Sequence, residues 1–376
     1  LKLYLIPRLN CYSSFRDLGI SFLGIFRSDL KAREISKIFK NEDIYPINNA
    51  RTGLRLLLNS FNLPHNAKIG VQVLNCHTVF TAIVKAGYKP IFIDIDDNLT
   101  LSVDDLKKKL NQIDALIVTH IFGIPARIKE IIEIVKSKPI IEDCAHSFLS
   151  TYNGELTGNF SDASIFSFGK GKFPSIGSGG FVVINNKMIL PMFKEHFSKL
   201  EQNKLSNEII NIMESLIFKI LHNRFIYKFV KNLNIKKMSN KFHLTRDFDS
   251  VEKSVLKSNL CLFLYNIKRY ESYKEKQVKN AILLKEYLKN YDGLNFICIE
   301  NKSQPNYLML PVITTDKIKL ISTFYKMGIE IGPHFLKSIE WAEKLGYKKN
   351  DCSNAEKIIS KLVVFPTYKL LINLTD

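Results

Sequence analysis

Between Asn48 and Asn185 short apolar runs alternate with amphipathic stretches. Residues 69–74, 90–95, 115–122, 139–143, 164–168 and 180–184 are compact runs rich in Val, Ile and Phe, a pattern that predicts strands buried on both faces. Residues 102–110 and 128–136 carry apolar side chains every three or four positions, as helices covering a sheet do. The alternation predicts an α/β fold, a mainly parallel or mixed sheet with helices on both sides. Ligands of such sheets gather at the carboxyl ends of the strands. Here those ends hold Asp143, His120 and the turn after Leu74.

The pattern changes from about residue 194 to 243. Ile209, Met213, Leu216 and Ile220 repeat at helical spacing, and Phe225, Phe229 and Val230 follow among Lys219, Arg224, Lys228 and Lys231. Two readings stand for this basic, apolar insertion. It is either a helical hairpin packed on the large domain or across a dimer interface, or an interfacial helix lying on anionic membrane. Residues 251–291 then read as one long helical stretch, 307–312 as a strand and 318–327 as a helix stopped by Gly328. A last helix over 354–362 breaks at Pro366. The expected division is a large domain over 1–250, insertion included, and a linker helix with a small C-terminal domain over 251–376.

Composition narrows the class. Of 376 residues, 46% are hydrophobic and 24% charged, the balance of a globular protein. No apolar run is long enough to span a bilayer, and the N-terminus has no secretory layout, so a cytoplasmic location is expected. The membrane reading of 194–243 would make it peripheral at the inner membrane. Six cysteines (Cys11, Cys76, Cys144, Cys261, Cys298 and Cys352) form no CxxC pair, which predicts reduced thiols and no metal. The net charge of +18 favours anionic partners. Its even spread, without a recognition motif, argues against nucleic acid.

The chemistry concentrates in three segments. Asn49-Ala50-Arg51-Thr52-Gly53-Leu54 opens the first helix of the large domain, and the amides of a helix start suit a phosphate. Ile140-Ile141-Glu142-Asp143-Cys144-Ala145-His146 ends a strand with a carboxylate that needs a cationic partner. Ser167-Phe168-Gly169-Lys170-Gly171-Lys172 supplies two lysines, either of which could hold an aldehyde. A lysine amine with a buried carboxylate suits pyridoxal phosphate (PLP), because a carboxylate against the ring nitrogen keeps it protonated and electron-withdrawing. His146, three residues past Asp143, could bond the cofactor's phenolic oxygen, where a lone histidine is otherwise more often structural.

Residues 48–186 resemble the DegT/DnrJ/EryC1/StrS family of fold-type I, PLP-dependent sugar aminotransferases. The likeness rests on Asn-Ala-Arg-Thr-Gly-Leu at 49–54, Gly-Tyr-Lys-Pro-Ile-Phe-Ile-Asp-Ile-Asp at 87–96 and Thr-His-Ile-Phe-Gly at 119–123. It continues with Glu-Asp-Cys-Ala-His at 142–146 and Phe-Ser-Phe at 166–168, and Asn354-Ala355-Glu356 before Phe365-Pro366 looks like the family's C-terminal signature. The resemblance implies that Lys172, five residues past Ser167, carries PLP, and it leaves Lys170 to steer anionic groups. It further implies Asp143 at the ring nitrogen and His146 at the phenolic oxygen. Ser167 with Ala50, Arg51 and Thr52 would bind the phosphate, and His77 would stack on the ring.

The implied substrates are a nucleotide-linked keto-sugar and an amino donor such as glutamate, handled by a homodimer in surface polysaccharide or glycoconjugate synthesis. Family members that dehydrate the sugar replace the lysine by histidine. Dehydration therefore stands as an alternative that Lys172 opposes, and a catalytically silent, membrane-docked homologue as another. The family's Asn-Tyr-Arg-Met-like segment, which reaches the neighbouring subunit's site, is not recognisable; residues 194–243 occupy its place.

Overall fold

The computed structural model describes residues 2–9, 14–27, 33–232, 252–369 and 371. Its main sheet has seven strands: β1 (Ile44–Ile47), β2 (Lys68–Gln72), β3 (Lys89–Ile93), β4 (Ala115–Thr119), β5 (Ile140–Asp143), β8 (Ala163–Ser167) and β9 (Gly180–Ile184). Two short strands, β6 (Thr151–Tyr152) and β7 (Glu155–Leu156), pair apart from it. The main order is β1-β9-β8-β5-β4-β2-β3, parallel from β3 through β8, with β9 antiparallel to both β8 and β1.

All six strand runs of the sequence form, and the cause is visible in β4. Ala115 and Ile117 face one core, while Leu116 and Val118 face the other. Burial on both sides makes the run continuously apolar rather than alternating. The Ala50–Ser60 helix brings Leu54, Leu57 and Leu58 to the first core; the Val103–Lys109 and Ile128–Val135 helices bring Leu106, Ile128 and Ile131 to the second. Gly53 lets the Ala50–Ser60 helix lie on the sheet, since a Cβ there would come within 2.4 Å of the Ile47 side chain.

Several boundaries differ from expectation. β1 was not foreseen, because Tyr45 and Pro46 spoil its apolar run; as an edge strand it tolerates the proline. The 115–122 run stops as a strand at Thr119 and turns over Ile121–Gly123, where Phe122 has φ 55°. Two helices, Phe15–Gly24 and Arg33–Phe39, precede the Ala50–Ser60 helix, so it is not the first. The 251–291 stretch is two helices, Lys257–Asn266 and Tyr270–Leu288, joined by a short turn. Asn266 closes the first of them, its side chain bonding Asp17 and the Leu262 carbonyl.

A second sheet joins β10 (Leu294–Phe296), β12 (Met309–Thr314) and β13 (Leu362–Pro366) antiparallel, in the order β10-β12-β13. β11 (Ser303–Gln304) pairs with β6 in a third, small sheet of order β11-β6-β7. The last helix is Ser353–Ile359 rather than 354–362; Leu362–Pro366 is drawn into β13 because each of its residues is buried opposite β12. The chain start joins this unit as well, with Ile6 bridging Ile329.

The insertion forms a Leu190–Ser198 helix, then a hairpin of Leu205–Leu221 and Arg224–Asn232. The remainder of 194–243, from 233 on, lies outside the described residues. The hairpin packs on the large unit, yet Ile209, Met213 and Ile220 of its apolar stripe face outward. Among the described residues no helix is long and apolar enough to cross a membrane. The described cysteines, from Cys76 onward, are unbridged; Cys11 lies outside the described residues.

Candidate active site

A cavity of about 330 Å³ opens at the carboxyl ends of the central strands. Its floor is Thr119 from β4 and Asp143 from β5; its walls include Ala50 and Arg51 at a helix start, and Ser167 at the end of β8. The loop after β8 brings in Lys172, and Gly177 and Gly179 hold φ near 110° so that their backbone passes along the wall.

Asp143 is 2% exposed. One oxygen accepts the Ala145 amide at 3.1 Å and the other accepts the Thr119 hydroxyl at 3.3 Å. Burial raises its pKa; the Ala145 amide and the Lys172 charge pull the other way. A carboxylate with two oxygens and only these two bonds keeps lone pairs for a cationic N–H. Burial likewise lowers the pKa of Lys172, partly offset by Cys76 and Asp143. A lysine amine so placed is neutral, and nucleophilic, at lower pH than in water.

The two lysines of the loop are separated by the fold. Lys172 lines the cavity, whereas Lys170 sits 3.7 Å from Glu214 and 5.3 Å from the centre of the Phe218 ring. At the helix start Asn49 caps the amide of Thr52 at 3.0 Å, so Thr52 shapes the turn without lining the cavity.

His146 also lines the cavity. Its Nδ1 accepts the Phe122 amide at 3.0 Å, which places the proton on Nε2 as a donor. Burial, with the charges of Lys172 and His334, holds its pKa well below the ordinary value. Phe335 stacks on it, rings 5.8 Å apart and 12° from parallel, and closes the cavity from the second unit.

The turn after β2 holds a different residue from the one expected. Cys76 and Thr78 line the cavity; His77 instead sets its ring 4.8 Å from that of Trp341. Burial pushes the Cys76 thiol up, but His77, Lys172 and Thr78 outweigh it and bring the pKa down to about 7. Cys76, Thr119, Ser178 and Phe335 were not singled out for the site in the sequence. Cys76 and Thr119 stand at strand ends already marked as ligand-facing, which was the available signal. Phe335 had none, lying far along the chain with a φ of 53°.

His120, Glu142 and Cys144 come within 4.8 Å of one another, a spacing open to a metal. Their donors are committed elsewhere. His120 donates from Nε2 to Glu142 at 2.9 Å and accepts the Ala126 amide on Nδ1, while Glu142 also accepts the amides of Gly158, Phe160 and Ser161. This trio braces the strand ends.

The family model for the DegT/DnrJ/EryC1/StrS aminotransferase family matches residues 31–208. Over those residues, somewhat under half of its length, the chain is similar to that family. A GDP-perosamine synthase of Escherichia coli O157:H7 is 35% identical over 147 residues, 38% of this chain and 40% of that protein's length. Among solved structures, the sugar aminotransferase CalS13 of Micromonospora echinospora superposes with a TM-score of 0.76 at 17% identity, over 99% of this chain and 97% of its own. The E. coli GDP-4-keto-6-deoxy-D-mannose-3-dehydratase superposes with 0.74 at 17% identity, over 100% and 97%. The architecture is thus that of fold-type I PLP-dependent transferases, and the fold houses both reactions.

The donor set of this cavity fits pyridoxal phosphate. It offers a buried amine, a buried carboxylate with free lone pairs, and a helix start beside a serine hydroxyl for the phosphate.

Proposed function

We propose that the protein is a PLP-dependent aminotransferase converting a nucleotide-linked keto-sugar to an amino sugar. The observation that carries this is the meeting of Lys172, Asp143 and the Ala50–Arg51 helix start in one cavity. PLP supplies the electron sink that stabilises negative charge at the donor's α-carbon. In this reading Lys172 would hold the cofactor aldehyde, be displaced from it by the donor's amine, and with its freed Nζ take up and return the donor's α-proton. Asp143 would keep the ring nitrogen protonated, and His146 would donate from Nε2 to the phenolic oxygen. Ser167 and the amides of Ala50 and Arg51 hold the phosphate, with Thr52 fixing the turn beneath them.

The keto-sugar reading is supported by the GDP-perosamine synthase likeness and by a basic chain suited to a diphosphate-bearing substrate. Glutamate as donor, a two-fold symmetric dimer, a cytoplasmic location and a role in surface polysaccharide or glycoconjugate synthesis belong to the same reading. Dehydration is the competing reaction on this fold, and the amine of Lys172 in the cavity favours transamination. The pyridoxamine-loaded protein, mixed once with a panel of nucleotide keto-sugars, should yield an aminated sugar detectable by mass. A dehydrated product, or none across the panel, would reject the assignment.

A further inference from the structure

The start of β9 enters the cavity between the two groups assigned above to a phosphate. β9 lies between β1 and β8 and runs antiparallel to both. Its leading residues therefore arrive where β8 stops at Ser167 and where β1 leads into the Ala50–Ser60 helix. The register makes the meeting close. Ser167 stands opposite Gly180, and the Phe168 amide donates to the Gly179 carbonyl at 2.8 Å. Gly180 lets the two strands approach, because a Cβ there would run into the Phe166 carbonyl. Ser178 follows this path into the cavity wall, with Gly177 and Gly179 on either side.

Two glycines with φ near 110° give this stretch of backbone little rigidity of its own. Its position comes from the neighbouring Lys257–Asn266 helix. Asn259, 2% exposed, donates from Nδ2 to the Ser178 carbonyl at 3.0 Å and to the Ser178 hydroxyl at 2.7 Å. Asn211, on the Leu205–Leu221 helix, donates from its own Nδ2 to Asn259 Oδ1 at 2.8 Å. That bond sets which end of the Asn259 amide faces Ser178. The insertion thus reaches the cavity wall through one amide.

The direction of these bonds decides what the hydroxyl can do. Ser178 Oγ accepts from Asn259, so its own proton points elsewhere. Among the described residues the acceptor within reach is Asn211 Oδ1 at 3.4 Å, longer than the roughly 2.5–3.0 Å of a sound O–H···O bond. The proton is therefore left for a ligand. The company of the hydroxyl makes that ligand an anion. Ser167 and the amides of Ala50 and Arg51 are donors on the same wall. Asp143, the carboxylate among the described residues of the lining, ends β5 on the far side of β8.

We propose that, given the pyridoxal phosphate reading of this cavity, the Ser178 hydroxyl donates to the cofactor phosphate and is aimed there by Asn259 and Asn211. Ser178 is then a binding residue, supplied by the same chain as Lys172, and the two asparagines are positioning residues. The contact is a hydrogen bond to a charged acceptor, the stronger kind.

The test is equilibrium dialysis of the full chain with PLP and with pyridoxal, which lacks the phosphate. Ser178→Ala should weaken PLP binding roughly tenfold and leave pyridoxal within about twofold. Asn259→Asp keeps the size but turns a donor into an acceptor that draws the hydroxyl proton to itself. It should narrow the preference for PLP over pyridoxal by roughly fivefold or more. A merely structural role would weaken both aldehydes alike, and that result, with folding checked by circular dichroism, overturns the assignment. An unchanged preference in both variants overturns it too. GDP binding to the PLP-loaded chain separates the other source of phosphate. If Ser178→Ala weakens GDP and spares PLP, the hydroxyl serves the substrate's diphosphate and the cofactor assignment falls. A native chain that binds neither aldehyde rejects the cofactor reading itself, and this role with it.

Discussion

On one side of the Asn259–Ser178 contact the chain buries charge; on the other it exposes hydrocarbon. The cavity loop carries Lys172 into the cavity with Asp143, where burial works against both charged forms. The Leu205–Leu221 helix hides Glu208 and Asn211 and turns Ile217 outward, 51% exposed. Each arrangement costs free energy in the isolated chain, so each implies something the chain alone does not supply. For the loop that is a cationic ring and a phosphate. For the helix it is a cover for the exposed apolar side chains. Neighbouring segments thus depart from the usual polarity in opposite directions.

The comparison breaks most sharply at the two lysines. Lys172→Ala should cut single-turnover amination by about 10³-fold or more, because the amine that moves the proton is gone. Lys170→Ala should stay within a few-fold, since Lys170 faces Glu214 rather than the cavity. Borohydride reduction and peptide mapping check the same point. The pyridoxyl mass belongs on Lys172, and finding it on Lys170 would exchange the roles.

Asp143→Asn comes next. The amide keeps the size and the Thr119 contact but loses the anion that favours a protonated ring nitrogen. The half-reaction with an amino donor should slow by roughly 10²-fold while the cofactor still binds. Stopped-flow absorbance reads both quantities, and an unchanged rate would remove Asp143 from the mechanism.

The sequence was legible wherever chemistry or double burial restricts residue type. The six central strands, the helix start near Ala50 and the shared cavity of Asp143, His146, Ser167 and Lys172 all belong to that class. It was opaque where a three-dimensional neighbour decides. β1 and β13 are strands because β9 and β12 lie beside them. His77 turns away because Trp341, far along the chain, receives its ring. Phe335 reaches the cavity through a backbone conformation that no periodicity encodes. The helical spacing of Ile209, Met213 and Ile220 was plain, but which way the stripe faced depended on Glu208 and Asn211 finding partners inward.

Cys76 gives a smaller effect on the loop side of the comparison. With its pKa near 7 against an ordinary 9.0, the thiolate forms as pH rises through 7 rather than 9. At pH 7 that is roughly fifty-fold more thiolate than an unperturbed thiol carries. Site-resolved alkylation of the cofactor-free protein should therefore show a midpoint near 7. His77→Ala should move it upward, because the His77 contact is the largest of the lowering influences. A midpoint near 9 in the native chain would mean that burial prevails.

The smallest effects test the inverted helix itself. Ordinarily the exposed polar residue is dispensable and the apolar one holds a helix in place. Here the order should reverse. Glu208→Ala removes the acceptor for the Lys257 and Ser258 amides in a site only 4% exposed, and should cost about 1–2 kcal/mol. Ile217→Ser replaces an outward side chain and should stay within about 0.5 kcal/mol in lipid-free buffer. Urea unfolding of the two variants, matched for slope, gives the comparison directly. A larger loss for Ile217→Ser would mean that protein covers this face in solution, and the outward stripe would then be an interface between chains.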